Sequence, residues 1–521
     1  MQSGKTLFNL PCAAQHEDPQ TFLAGLVTFS DQSLPRPITL RAGYRTSHRP
    51  HLVDIPFVQI LRPDPTHPIR KRLWQAAGAL GLIMLVLVTR ETIVRHASPS
   101  HRLSLGEDFL PVYAAGRLVR EGRAADLYAM EPLAAIERRI VAEADLEPLR
   151  AYGPFLNPPF FAAAYVPFST MPYRTALSCW VALNALLLAG SVLLICRLLP
   201  RGQFWPTWAL VSLLIVLPLP FWEAVWYQQN TFLSLFLTCA IVSLWRAPIA
   251  ASRGPRVANS KRQFGSAARY LPDPCGLLCG LLFYKPQLAL TVAVALVFTR
   301  GLRAMLGLMI AGGFLLLFTL ERMPGTLWAF VHTLPPTIHW LRTALPYNWG
   351  QQLTPQSFWR LLIQRHGMGE TGWLAWTLGV ATAGGFAIAL FATGIRQCKS
   401  PQGAVPLDRY IGATICTMPL LMPYYMDYDL LLLAVPAALF AAEWLRSPRS
   451  ITRTDRFLFS TWMALFLETY INPGLGAHLG LNLAVPLIGV VAGLSIRRCF
   501  RPSVATSTAE GYDATPLAAA A

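Results

Sequence analysis

Leu105-Gly106-Glu107-Asp108-Phe109-Leu110-Pro111-Val112-Tyr113 sets two adjacent carboxylates just before an amphipathic run, soon after the first long apolar stretch, Trp74 to Thr89. A carboxylate held beside a bilayer is costly to desolvate, so its presence needs a structural or a chemical reason. Around it the chain is apolar: 54% of its 521 residues are hydrophobic and 14% charged, with a mean hydropathy of +0.40. A soluble domain carries about a quarter charged residues, and a spanning helix needs about 20 apolar ones. Apolar stretches recurring from Trp74 to Leu494 therefore predict a single all-α polytopic membrane domain.

The formal charge of +17 sits in clusters between the apolar runs. That is the positive-inside distribution and not the basic stripe of a nucleic-acid binder, so no nucleic-acid partner is expected. Arg70-Lys71-Arg72 before the first span puts the N-terminus in the cytoplasm. Residues 1–72 read as a disordered cytoplasmic extension, 73–498 as the membrane domain with outer loops at 90–172 and 321–371, and 499–521 as a disordered cytoplasmic tail. Further spans are predicted near Ala176–Leu199, Trp208–Trp226, Thr231–Trp245, Leu302–Leu320, Trp373–Ile395, Ile411–Tyr424, Leu430–Leu445, Phe457–Tyr470 and Ala477–Ile496. Cys275 to Thr299 is broken by Lys285-Pro286 and reads as a hairpin of two short helices with its tip outward. The sum is about twelve spans in the cell (inner) membrane, both termini inside. The nine cysteines mostly fall in or beside apolar runs, which indicates packing residues and no disulfide framework.

On this topology the polar clusters share the periplasmic or extracellular side. Asp108 is either the N-cap of the helix that follows it or a general base, with Glu107 able to share the assignment. Asn157-Pro158-Pro159 opens a segment too short to span, suited to the interface. Gln229 and Asn230 lie in a tight turn, where amides are ordinary but can also bind sugar hydroxyls. Lys285, inside an apolar run beside a proline, points to a cavity and suits a phosphate. His332 and His339 align on one helix face but lack a further ligand, so no metal site is expected. Tyr425, Asp427 and Asp429 cap two spans, either as solvated turn residues or as a sugar-binding lining.

The order of these motifs resembles glycosyltransferase family 87, the polyprenol-phosphate-dependent mannosyltransferase-like group of the GT-C superfamily. It runs from Glu107-Asp108-Phe109 through Asn157-Pro158-Pro159-Phe160, Gln229-Asn230-Thr231, Tyr284-Lys285-Pro286-Gln287 and Gln356-Ser357 to Pro423-Tyr424-Tyr425-Met426-Asp427-Tyr428-Asp429. Asn157 departs from the tyrosine more usual before the paired prolines. The resemblance implies a GT-C-type bundle with two juxtamembrane helices in the first outer loop, and a polyprenyl-phosphate sugar donor reaching the site from the outer leaflet. It makes Asp108 the base that helps a glycolipid or glycan hydroxyl displace lipid phosphate with inversion, mannose being the expected sugar. Lys285, His339 and Arg342 are the expected phosphate contacts; Asn157, Gln229, Asn230, Gln287, Gln356, Tyr425, Asp427 and Asp429 are the expected sugar or acceptor contacts. No cofactor is implied beyond the lipid-linked co-substrate, and divalent-metal dependence stays open. A polytopic transporter or lipid flippase is the alternative, since charged residues and broken helices at membrane depth occur there too.

Overall fold

The computed structural model describes residues 106–146, 153–200, 204–247, 271–343, 349–365, 369–399, 407–446 and 452–501, with residue 347 and scattered positions between 75 and 86. These fall within one compact unit, Ile60–Ala521. Half of the first predicted span lies outside the described residues, as do the whole N-terminal extension and most of the tail. Among the described residues every regular element is helical, with one isolated antiparallel bridge, Gln352 to Met426.

The first outer loop folds into α1 (Phe109–Arg120) and α2 (Met130–Glu143), then two short helices, α3 (Pro159–Ala164) and α4 (Val166–Ser169). Phe109, Tyr113, Tyr165, Phe168, Tyr173 and Trp180 form one aromatic cluster that docks this layer on the bundle. Gly116 permits the approach, because a Cβ there would lie 2.7 Å from the Tyr165 backbone.

The bundle follows: α5 (Tyr173–Leu198), α6 (Phe204–Val216), α7 (Leu219–Tyr227), α8 (Thr231–Trp245), α9 (Pro274–Leu281), α10 (Pro286–Arg300) and α11 (Leu302–Arg322). Next come α12 (Thr326–Thr343) and α13 (Pro355–Gln364), which occupy the second outer loop, and then α14 (Trp373–Lys399), α15 (Leu407–Leu421), α16 (Ala434–Arg446), α17 (Arg453–Glu468), α18 (Asn472–Leu479) and α19 (Ala484–Cys499). A helix stands at each predicted span that the structure describes, but some of these helices are shorter than a full span. Among the described residues four helices are long and apolar enough to cross a membrane, or five if the bent pair α6–α7 is one span. Breaks explain the shortening: Pro218 starts α7 after a 68° bend, Lys285-Pro286 divides the next apolar run, and Gly480 in the left-handed region (φ 66°) ends α18.

The run Cys275–Thr299 is a hairpin. Asp273 and Arg300 meet at its open end (3.6 Å), and the Cys279 thiol lies 3.8 Å from the Ala289 carbonyl. Glycines on α9 and α11 then let the two helices run side by side. A Cβ on Gly276 would sit 2.2 Å from the Ala304 carbonyl oxygen, and one on Gly307 2.6 Å from that of Asp273. This is the small-residue packing by which membrane helices approach closely.

Polar groups collect at the two ends of the bundle. At one, Arg246 pairs with Asp408 (2.6 Å), and Arg409 and Arg498 share Glu443 (2.6 and 2.9 Å). The other end, reached by the N-termini of α8 and α10, holds the Glu107-Asp108 segment.

Candidate active site

The side chain of Asp108 does not cap α1. Asp108 stands at the N-cap position but makes no hydrogen bond to its own helix. Its carboxylate instead accepts a hydrogen bond from the Gln229 amide, 121 residues away. The backbone repeats the connection, since Gly106 N donates to Trp226 O (3.0 Å) and Asp108 N to Tyr227 O (3.1 Å).

The turn holding Gln229 is built for that reach. Gln228 ends α7 in the left-handed region (φ 54°), an uncommon conformation for a residue with a side chain. It is held there by Trp180, whose indole N–H donates to its carbonyl at 3.0 Å, and by Asn184, 3.3 Å from its amide. Such local strain persists where the surroundings over-determine it, and it clusters at functional sites.

One residue beyond the turn, Thr231 donates to Asp429 (2.9 Å), and Lys285 reaches the same carboxylate at 2.8 and 3.2 Å. Both members of this ion pair are buried, with 8% and 5% of their side chains exposed. The Lys285 ammonium also lies 5.5 Å from the Tyr428 ring centre. The break that places it at the hairpin tip follows from the sequence: a proline disfavours helix in the residue before it and suits the first turn of the next helix.

Four distant segments thus meet around Asp108: the loop before α1, the α7–α8 turn, the α9–α10 tip and residues 423–429. Asp108 is open to solvent and yet surrounded by protein on most sides, the condition of a side chain lining a recess. That burial raises its carboxyl from 3.8 to about 6; the Gln229 bond opposes the rise, Glu107 adds to it, and Lys285 works against it.

The remaining expected site residues divide. Asp427 hydrogen-bonds Glu223 through its side chain, and its backbone N–H donates to Gln351 O (2.9 Å). Glu223, an acid in the otherwise apolar Leu219–Tyr227, went unnoticed in the sequence, where a lone carboxylate in an apolar run was the available signal. Asn230 is buried, and its carbonyl accepts from Tyr284 (3.2 Å). Tyr425 is 1% exposed and its hydroxyl donates to the Asp429 carbonyl (2.7 Å), so it faces the core. Gln287 follows the Lys285 tip in the first turn of α10. Asn157 belongs to a joint instead: its carbonyl accepts from Tyr128 (2.8 Å), whose ring packs on Phe330 of α12.

His339, Arg342 and Gln356 line a separate cavity of about 280 Å³ together with Trp349 and Glu370. Arg342 sits beside the paired Tyr347 and Trp349 rings (5.9 and 5.8 Å from their centres) and donates to the Pro423 carbonyl (3.0 Å). That carbonyl precedes Tyr424, whose phenol feels the charges of both Asp108 and Arg342. The cavity and the Asp108 recess therefore flank one segment. Among the described residues no group of three or more His, Cys, Asp or Glu is placed to hold a metal ion.

No curated protein and no solved structure matches the chain. A family model does, over residues 155–407. The match includes Gln229, Asn230, Lys285, His339, Arg342 and Gln356, and stops short of Asp108 on one side and Asp427 on the other. That model is of glycosyltransferase family 87, so over residues 155–407 the chain is similar to a family of glycosyltransferases.

Proposed function

We propose that the protein moves a hexose, mannose being the expected one, from a polyprenyl-phosphate donor to a hydroxyl of a glycolipid or glycan at the outer face of the cell membrane. The observation that carries this reading is the state of Asp108. Its carboxylate caps nothing, lies in a recess open to solvent, is oriented by Gln229, and has a pKa of about 6. A general base works best with a pKa near the operating pH, ionised but still basic.

In the proposed step the acceptor hydroxyl gives its proton to Asp108 while its oxygen forms a bond to the anomeric carbon. The bond from that carbon to the phosphate oxygen breaks, and the electron pair leaves with the lipid phosphate. One displacement inverts the anomeric centre and needs a single carboxylate. Arg342 and His339 receive the phosphate in the cavity they line, since a guanidinium matches phosphate oxygens in pairs. Lys285, already paired with Asp429, acts as a fixed positive charge that adds a small preference for the ionised form of Asp108. Trp340 and Trp373 (44% and 78% exposed), close in sequence to the cavity-lining His339 and Thr371, suit a donor that arrives in lipid.

The test uses membranes containing the protein, supplied with tritiated polyprenyl-phosphate hexose. Label appearing in a covalent glycolipid or glycan supports the proposal. Label crossing the membrane with no new glycosidic product overturns it in favour of transport.

A further inference from the structure

We propose that Tyr424 contacts the transferred sugar and sets which hexose the site accepts; this rests on the donor and base assignments above. Residues 423–426 run from a bend at Pro423 to an extended Met426 and are pinned along that length. The Pro423 carbonyl accepts from Arg342 (3.0 Å) and from Gln352 (2.9 Å), Leu353 N donates to Tyr425 O (2.7 Å), and Met426 bridges Gln352. Side chains alternate along extended backbone. Tyr425 points into the core, where its hydroxyl is bonded to Asp429, so Tyr424 points the other way.

What Tyr424 meets there is informative. It is half-buried where Tyr425 is fully buried. Asp108, Asp429, Arg342 and the Tyr347 phenol all act on it. It therefore stands within the fields of the proposed base and the proposed phosphate ligand at once. In the displacement, the group between base and phosphate is the sugar. A phenol offers a pyranose a donor–acceptor hydroxyl for one ring hydroxyl and a flat face for its C–H surface. Reading one hydroxyl's position is what distinguishes hexose epimers.

The experiment compares polyprenyl-phosphate glucose, mannose and galactose as donors for purified, reconstituted protein carrying Tyr424→Phe. Removing the hydroxyl should lower kcat/KM for the preferred donor about 3- to 10-fold, the effect of one hydrogen bond, and shrink the ratio between epimers by a similar factor. The ratio does not depend on the folded fraction, so a partly misfolded preparation still answers. An unchanged ratio overturns the proposal. Asp108→Asn run beside it separates the two claims: a dead Asp108 variant with an unchanged Tyr424→Phe ratio removes Tyr424 alone, whereas an active Asp108→Asn removes the reading beneath it.

Discussion

Replacing Gln229 by Leu isolates the interaction that tunes the proposed base. Burial drives the Asp108 carboxyl up to about 6, and the Gln229 amide is the foremost influence holding it down. A hydrogen bond to a charged group is worth about 1.5–3 kcal/mol. Asp108 is open to solvent, so the lower end applies, close to the 1.4 kcal/mol that moves a pKa by about one unit. The acid limb of kcat/KM should then shift from about 6 to about 7. At pH 6 the ionised fraction falls from about a half to about a tenth, a loss of roughly fivefold, while at pH 8 both forms are over about 90% ionised and differ little. The assay is hexose transfer in reconstituted vesicles from pH 5 to 9, with the ratio of variant to wild type read at each pH. A loss equal at every pH would mean that Gln229 only holds the turn. A limb left at 6 would refute the link between this amide and the base.

The buried Lys285–Asp429 pair makes a second prediction. Removing one partner leaves a buried charge uncompensated and should cost about 3–5 kcal/mol, whereas Lys285→Met with Asp429→Leu should restore most of it; thermal unfolding in detergent reads both, and additive losses would contradict the pairing. Glu137 on α2 is fully buried and its carboxyl is pushed up to about 8, mainly by burial and only partly relieved by the Gly153 N–H. Folding therefore keeps its proton on up to about pH 8, the unfolded chain loses it near 4.5, and stability falls as pH rises between the two. Glu137→Gln should flatten that slope between pH 5 and 8, as chemical unfolding at several pH values would show; an identical slope would contradict the burial argument. At Gly276 a methyl group would meet the Ala304 carbonyl at 2.2 Å, so Gly276→Ala should destabilise by about 1–3 kcal/mol, and an unchanged melting temperature would refute the α9–α11 packing.

Much of this arrangement was legible in the chain because it depends on local rules. Lys285-Pro286 announced a broken helix, and the structure gives a hairpin with the lysine at its tip. The apolar runs located the helices of the bundle. Their number as membrane spans was not legible, because a proline bends α6 against α7 and Gly480 divides the last run, while hydropathy alone registers length. Asp108 remained balanced between cap and base for a physical reason. Capping is decided by where a side chain turns, and here a glutamine 121 residues away claims it. Tyr424 and Tyr425 are likewise equivalent in sequence; the bridge to Gln352 decides which faces inward. Glu223 is legible as a single acid in an apolar helix, but its partner, Asp427, lies about 200 residues further along the chain.

The measurement closest to the central claim is transfer by Asp108→Asn at pH 8, where the wild-type carboxylate is ionised. With the variant inserted at wild-type level in vesicles holding polyprenyl-phosphate hexose, loss of the base should lower kcat about 10²- to 10⁴-fold, with donor affinity little changed. Turnover within a few-fold of wild type would show that the proton goes elsewhere, and Asp108 would no longer be the base.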